Sequence, residues 1–183
     1  MRVVAGRLGG RRLVAPEGRD TRPTTDRVRE AVFNALGSAG LIDGALVADL
    51  YAGSGALGIE AISRGAAHCI FVENERAAVA ALETNIAHLG IAAECTVRRA
   101  PVEASLASLD VDLILADPPY GAADWESLLA AVKASFVVAE DDREVVAPSG
   151  WRNVRARRYG RTWVTFLERV DDATPDACNG ELG

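Results

Sequence analysis

Residues 49–58 have the sequence Asp49-Leu50-Tyr51-Ala52-Gly53-Ser54-Gly55-Ala56-Leu57-Gly58. The stretch joins a short apolar segment, residues 45–50, to a second apolar segment, residues 56–63. Three glycines in the pattern G-x-G-x-x-G, between a predicted strand and a predicted helix, are typical of loops that bind nucleoside cofactors. We expect Gly53 to permit the tight turn, Gly55 to let a ligand approach the backbone, and Gly58 to let the helix pack closely on the sheet.

Predicted strands and helices alternate outward from this loop. The strands cover residues 45–50, 68–72, 94–98, 111–116 and 135–139, and the helices cover 56–63, 76–89, 102–109 and 124–133. Such alternation indicates βαβ units and a parallel sheet. Two further β-like runs, 153–159 and 162–169, meet around Gly160 and predict an antiparallel hairpin at a sheet edge. The predicted fold class is therefore α/β, with a mostly parallel seven-stranded sheet.

The chain before residue 41 predicts an extension of different character. Residues 2–15 predict a basic β-hairpin that turns at Leu8-Gly9-Gly10, and a helix capped by Thr24 or Thr25 is predicted to run to about Gly37. We divide the chain into this extension (1–40), a cofactor-binding domain (41–170) and a tail (171–183) that we expect to be disordered.

The composition is that of an ordinary globular domain. The 183 residues are 49% hydrophobic and 25% charged, which predicts one domain and, by default, a monomer. No apolar run approaches a membrane span and no signal-peptide segment is evident, so we expect a cytoplasmic protein with no membrane partner. Three cysteines stand far apart without metal-site spacing, which predicts free thiols and no bound metal: Cys69, Cys95 and Cys178.

The net charge of −6 hides an uneven distribution of arginine. Residues 1–30 hold eight arginines against four acidic residues, a balance of +4, so the remainder carries −10. Residues 150–161 hold five more arginines and no acidic residue. Because the planar guanidinium suits phosphates and stacked bases, the two runs indicate a nucleic-acid partner despite the acidic total.

Two carboxylates accompany the glycine loop. Glu73 ends the second predicted strand, where it can accept hydrogen bonds from both ribose hydroxyls of an adenosine. Asp49 lies four residues before Gly53, where it suits a ligand with a charged amino acid moiety better than a pyrophosphate. These features favour S-adenosylmethionine over NAD. The predicted cofactor-binding residues are Asp49, Tyr51, Ala52, Gly53, Ser54, Gly55, Gly58, Glu73, Asn74, Ala100 and Asp117.

The tetrapeptide Asp117-Pro118-Pro119-Tyr120 follows the predicted strand 111–116 and should face the same crevice as Gly53. An amino group on a base is a poor nucleophile because its lone pair is delocalised into the ring. Hydrogen bonds to Asp117 and to the Pro118 carbonyl favour a pyramidal nitrogen whose lone pair points at a methyl donor. The prolines fix the backbone, and Tyr120 offers a π-face to the base. We predict all four as catalytic residues.

Together these motifs resemble class I methyltransferases, and the N-terminal stretch narrows the resemblance to the bacterial RsmD family. The narrowing segments are Gly6-Arg7, Gly10-Arg11-Arg12-Leu13 and Arg22-Pro23-Thr24-Thr25-Asp26-Arg27-Val28-Arg29-Glu30. The resemblance implies a Rossmann-like fold and methylation of a guanine N2 amino group in small-subunit ribosomal RNA within an assembly particle, the base being flipped out. It implies substrate or RNA contacts at Arg7, Arg11, Arg12, Arg22, Thr24, Thr25, Asp26 and Arg29.

One position departs from the methyltransferase pattern. Residues 98–101 have no acidic residue where many of these enzymes place one near the adenine amino group, so Glu103 or the backbone of Ala100 is the expected substitute. Three alternatives remain open on sequence: an NAD-binding oxidoreductase, a methyltransferase of DNA adenine or protein glutamine, and an RNA-binding module without activity. The oxidoreductase leaves Asp49 and the tetrapeptide unused.

Overall fold

The computed structural model describes residues 1–16 and 26–170. The helices are α1 (Asp26–Ser38), α2 (Ala56–Ser63), α3 (Arg76–Leu89), α4 (Val102–Ser105) and α5 (Trp125–Ala131). The strands are β1 (Leu46–Leu50), β2 (His68–Glu73), β3 (Cys95–Arg99), β4 (Leu113–Ala116), β5 (Phe136–Asp141), β6 (Trp151–Tyr159) and β7 (Thr162–Arg169). Short 3-10 helices precede β3 (Ala92–Glu94) and follow α4 (Leu106–Ser108).

All seven strands form one sheet in the order β3-β2-β1-β4-β5-β7-β6. The first five strands in this order are parallel to one another, whereas β7 is antiparallel to both β5 and β6. The predicted α/β architecture, with its mostly parallel seven-stranded sheet and antiparallel C-terminal hairpin, is therefore confirmed.

Alternate residues of the central strands face two apolar clusters. Val47 and Leu115 belong to the cluster that includes side chains of α1, α2 and α3, whereas Ala48 and Ile114 belong to the cluster of α4 and α5. Helices thus cover both faces of the sheet, which is why its strands are nearly continuous apolar runs in the sequence. Among the described residues, no helix combines the length and the apolar character needed to cross a membrane.

Two helices differ from the lengths that the sequence predicts. Predicted helix 124–133 is shorter, because Asp124 caps it by accepting from the Ser127 amide at 3.2 Å and Val132 already has extended backbone. Predicted helix 102–109 is divided into α4 and the following 3-10 helix. The predicted caps of α1, Thr24 and Thr25, lie outside the described residues.

The N-terminal segment is a turn with a single antiparallel bridge, between Arg2 and Arg12, so the predicted two-stranded hairpin was too regular. The amides of Val4 and Ala5 donate instead to the Glu60 carboxylate on α2, at 2.7 and 3.0 Å. The Glu60 side chain therefore accepts hydrogen bonds from backbone amides that would otherwise pair between the two strands of a longer hairpin. The segment also buries three apolar side chains in the cluster of α1–α3: Val3, Leu8 and Leu13.

Candidate active site

The strand register brings the predicted site residues to one edge of the sheet. Leu50 of β1 lies level with Val72 of β2 and with Ala116 of β4. The residues that follow these three positions, Tyr51, Glu73 and Asp117, therefore meet at the carboxyl edge of the parallel strands. Ligands of open parallel sheets bind at this edge. Ala100 joins them, because Glu73 pairs in register with Arg99.

Two glycines of the loop are needed for packing. A Cβ atom on Gly55 would lie 2.4 Å from Leu82 Cδ1, and one on Gly58 would lie 2.4 Å from Phe71 Cε1. Gly58 therefore allows the close helix-to-sheet contact that the sequence predicts. Gly55 does the same toward α3, so its predicted role in admitting a ligand is corrected: buried side chains occupy the space beside it.

The backbone that faces open space is at Gly53. A Cβ there would have no neighbour closer than the Tyr51 carbonyl at 3.9 Å, and φ is +56°. Tyr51 has φ of +59°, the one positive value among described residues other than glycine. Such backbone conformations are uncommon outside glycine and concentrate at functional sites. The residues 51–53 thus present the backbone that a ligand can approach.

Glu73 is fixed by three backbone amides. Its Oε2 accepts from Gly53 at 2.9 Å, and its Oε1 accepts from Asn74 at 2.9 Å and Glu75 at 2.8 Å. A carboxylate has about four acceptor positions, so about one is left for a ligand hydroxyl. Both ribose hydroxyls, as predicted, could therefore bind Glu73 only by sharing that remaining acceptor position. The same bonds hold the glycine loop against the end of β2.

Asp49 is 1% exposed, and its Oδ2 accepts from the Gly58 amide at 2.8 Å. Burial raises the pKa of this carboxyl well above its usual value; the Gly58 amide opposes that rise, and the nearby carboxylates of Asp117 and Glu73 add to it. Three carboxylates therefore converge at the edge. Among described residues, no cluster of side chains forms a metal site. This arrangement fits an organic cation.

The region beyond β3 holds the predicted adenine contacts. The Ala100 amide donates to the Arg98 carbonyl at 3.1 Å, which leaves the Ala100 carbonyl as the group that can face a base. Glu103, in the first turn of α4, accepts from the Tyr51 hydroxyl, and burial followed by the Glu103 charge raises the pKa of Tyr51 to about 12. Asn74 is exposed beside Glu73. The remaining loop residues, Ala52 and Ser54, are buried.

The tetrapeptide combines a half-buried Asp117 with a buried Pro118. The Pro119 carbonyl accepts from the Ala122 amide at 3.0 Å, whereas the Pro118 carbonyl accepts no hydrogen bond in the described chain. Tyr120 is half-buried, and its hydroxyl lies 2.9 Å from the Thr162 hydroxyl. Thr162 is a residue that sequence reasoning missed, since only the β6–β7 pairing brings it to the site.

The predicted RNA-contacting residues of the extension are dispersed. Arg7 pairs with Glu94, which precedes β3, and Arg11 donates to the His88 carbonyl at 3.4 Å near the end of α3. Glu94 and His88 lie near the amino end of β3, whereas Asp117 lies at the carboxyl ends of the strands. Arg12 is exposed. Arg22, Thr24 and Thr25 lie outside the described residues.

Arg29 is buried, which corrects its implied place at a substrate surface. It is 0% exposed and lies 3.6 Å from Glu60 and 3.0 Å from Asp26. A guanidinium with no accessible surface cannot contact a substrate in this conformation. Arg29 instead links α1 to α2, and Asp26, at the start of α1, is one of its partners.

A family model described as "Conserved hypothetical protein 95" matches residues 1–168. "Putative rRNA methyltransferase YlbH" of Bacillus subtilis is 38% identical, over 92% of this chain and 99% of its own. "Ribosomal RNA small subunit methyltransferase D" of Escherichia coli is 32% identical over 97% and 94%. The solved structure titled "Putative methyltransferase yhhF from Escherichia coli" has a TM-score of 0.80 at 30% identity, over 92% and 97%.

These similarities extend over nearly the whole chain, from the N-terminal turn through β7. They include the glycine loop, the tetrapeptide and the antiparallel hairpin in one fold. The Rossmann-like class I methyltransferase fold predicted from sequence is therefore confirmed, and the chain belongs to the RsmD methyltransferase family.

Proposed function

We propose that this protein methylates the N2 amino group of a guanine in small-subunit ribosomal RNA, with S-adenosylmethionine as donor. The convergence of Asp49, Glu73 and Asp117 at the carboxyl edge, set by the register of β1 with β2 and β4, carries the proposal. Burial raises the pKa of Asp49 most, and the neighbouring carboxylates of Asp117 and Glu73 raise it further; a ligand with an ammonium and a sulfonium relieves that part of the repulsion. A pyrophosphate would increase it, which argues against NAD.

The residues that would hold the donor are those around the loop. Gly53 offers open backbone, Glu73 offers its remaining acceptor position to a ribose hydroxyl, and the Ala100 carbonyl faces the adenine. Asp49 contributes charge rather than direct contact, since it is buried and bonded to Gly58. S-adenosylmethionine supplies a methyl group on a positively charged sulfur.

The tetrapeptide orients the amino group that receives the methyl. Asp117 and the Pro118 carbonyl accept hydrogen bonds from its two N–H groups, so the nitrogen lone pair is freed from the ring and aimed at the donor. As the new N–C bond forms and the donor's S–C bond breaks, the nitrogen would release one proton to the Asp117 carboxylate. Tyr120 stacks on the flipped base, and its hydrogen bond to Thr162 fixes the ring in place. Catalysis rests mainly on positioning.

The choice of substrate is supported by the names of relatives that act on ribosomal RNA. We further propose that the enzyme acts as a monomer in the cytoplasm and that its substrate is a ribosomal assembly particle. Exposed Arg11 and Arg12 lie far from Asp117 and would contact RNA backbone remote from the methylated base.

The proposed function is tested with small ribosomal subunits from cells that lack the gene. Purified protein and tritiated S-adenosylmethionine should label their RNA, and digestion to nucleosides should yield N2-methylguanosine alone. Calorimetry should show binding of S-adenosylhomocysteine and none of NAD. Label in another nucleoside, or selective NAD binding, would contradict the proposal.

Glu73→Gln is expected to weaken S-adenosylhomocysteine binding by about 10- to 100-fold, since a hydrogen bond to a charged group contributes about 1.5–3 kcal/mol. The amide also loses acceptor positions that hold the Gly53 loop. Calorimetry measures the affinity. Glu83→Gln is the matched control, because Glu83 lies in a surface ion pair with Arg99. Equal affinity in the two variants would remove Glu73 from the site.

A further inference from the structure

An open groove of about 560 Å³ separates α1 from the sheet-edge strand β6. Small side chains of α1 form one wall, among them Ala31 and Ala35. Strand β6 forms the other wall with Arg155, Arg157 and Tyr159. No acidic residue lines the groove within the described chain. The groove is therefore basic in a protein whose net charge is −6.

A β-bulge in β6 places the two arginines in this groove. Asn153 pairs with Leu167, but Arg155 pairs with Phe166, so Val154 is the extra residue. A slip of one residue moves every following side chain to the other face of a sheet. Without the bulge, Arg155 and Arg157 would face away from α1.

The two arginines have no carboxylate partner among the residues that the structure describes. Both are exposed, and neither forms an ion pair within the described residues. By contrast, Arg152 of the same strand pairs with Glu168. The Arg157 guanidinium lies 5.4 Å from the centre of the Tyr159 ring, which holds it in place by a cation–π contact. The wall thus presents positive charge that no carboxylate of the described residues compensates.

The groove is continuous with the candidate active site. Tyr159, at the end of β6, pairs in register with Thr162. The Thr162 hydroxyl lies 2.9 Å from that of Tyr120, whose ring is the proposed stacking surface for the flipped base. A polynucleotide that leaves Tyr120 therefore reaches Tyr159, Arg157 and Arg155 in that order.

We propose that the α1–β6 groove binds the sugar-phosphate backbone of single-stranded RNA next to the methylated nucleotide. The inference rests on the proposed function in taking RNA as the substrate. Charge complementarity favours RNA as the occupant, because two neighbouring guanidinium groups that lack carboxylate partners among the described residues match a chain of phosphates. The groove is separate from the basic N-terminal turn. Arg7 of that turn pairs with Glu94 beside β3, the outer strand on the other side of the sheet from β6.

The test compares two double variants with the same change in charge on the same strand. R155A/R157A removes the groove arginines. R152A/R158A removes one arginine paired with Glu168 and one that donates to the Gly160 carbonyl at 2.9 Å. The probes are polyuridylate, protein-free small-subunit RNA and assembled small subunits. Affinity is measured at several salt concentrations, and S-adenosylhomocysteine binding checks that each variant is folded.

R155A/R157A should bind polyuridylate and small-subunit RNA at least about tenfold more weakly. The slope of log affinity against log salt should fall by about 1.4, since each single-strand phosphate contact contributes about 0.7. R152A/R158A should stay near wild type. An unchanged slope in R155A/R157A overturns the inference, and so does loss of binding to assembled subunits alone, which would indicate a protein contact. Groove-dependent RNA binding without methyl transfer would refute the proposed function and leave this inference intact.

Discussion

Asp117→Ala is expected to lower the rate of methyl transfer by at least about 10²- to 10³-fold, the usual effect of removing one group that stabilises a transition state. The alanine cannot accept a hydrogen bond from the amino group, so the nitrogen lone pair stays delocalised in the base. Binding of S-adenosylhomocysteine should persist, because Glu73 and the Gly53 loop are held by each other. Transfer of tritium to unmethylated small subunits, with donor in excess, measures the rate.

Two further variants separate chemistry from charge. Asp117→Asn keeps an acceptor oxygen at the same place and should retain part of the activity lost in the alanine variant. Asp110→Ala removes an exposed carboxylate from the opposite end of β4 and should transfer methyl at the wild-type rate. A rate for Asp117→Ala within about threefold of wild type would contradict the catalytic role assigned to Asp117.

Stability provides an independent check on Asp117→Ala. Burial raises the pKa of the Asp49 carboxyl most, and the Asp117 charge raises it further, which means that the two carboxylates repel each other in the folded protein. A group whose pKa is raised on folding disfavours the folded state at pH above its ordinary pKa. Removing Asp117 should therefore leave the melting temperature at neutral pH unchanged or higher. A lower melting temperature with the lower rate would instead indicate a folding defect.

The fold and the cofactor loop are predictable from sequence because their signals are local. Strand–glycine–helix spacing at residues 49–58 and the apolar run before Asp117 each lie within a dozen residues. One topological rule, that loops following parallel strands share an edge, then brings Gly53, Glu73 and Asp117 together. The structure has this arrangement in register.

Contacts between residues far apart in the chain were not predictable. Tyr120 and Thr162 are 42 residues apart in the sequence, and Glu60 accepts a hydrogen bond from Val4, which is 56 residues away. Nothing in the sequence around Arg29 distinguishes it from a surface arginine, and only its packing against α2 shows that it is buried. The amino-acid sequence does not indicate the β-bulge at Val154 either. The face of the sheet on which Arg155 lies is therefore known only from the pairing of β6 with β7. Each feature depends on tertiary packing rather than on periodicity.

Glu60→Ala is expected to lower the free energy of unfolding by about 3–5 kcal/mol, the cost of leaving a buried charge without its partner. Glu60 is 0% exposed and lies 2.7 Å from Arg64 Nε and 3.6 Å from Arg29 Nε. It also accepts the amides of Val4 and Ala5. Urea unfolding followed by circular dichroism measures the change, and Glu83→Ala in a surface ion pair should cost about 0–1 kcal/mol.

The companion variant shows which interaction is responsible. In Glu60→Ala the Arg29 guanidinium stays buried, and its Nε and one terminal nitrogen already have no hydrogen-bond partner among the described residues. Glu60→Ala with Arg29→Met removes that charge and should recover part of the lost stability, since apolar replacements of buried ion pairs are often neutral. No recovery would mean that the cost lies in the orphaned amides of Val4 and Ala5, or in the Arg29 bonds to Asp26 and to the Arg2 carbonyl that methionine also removes. In either case Glu60 fixes the N-terminal segment on α2, so its loss should free residues 1–5 for proteolysis before the sheet unfolds.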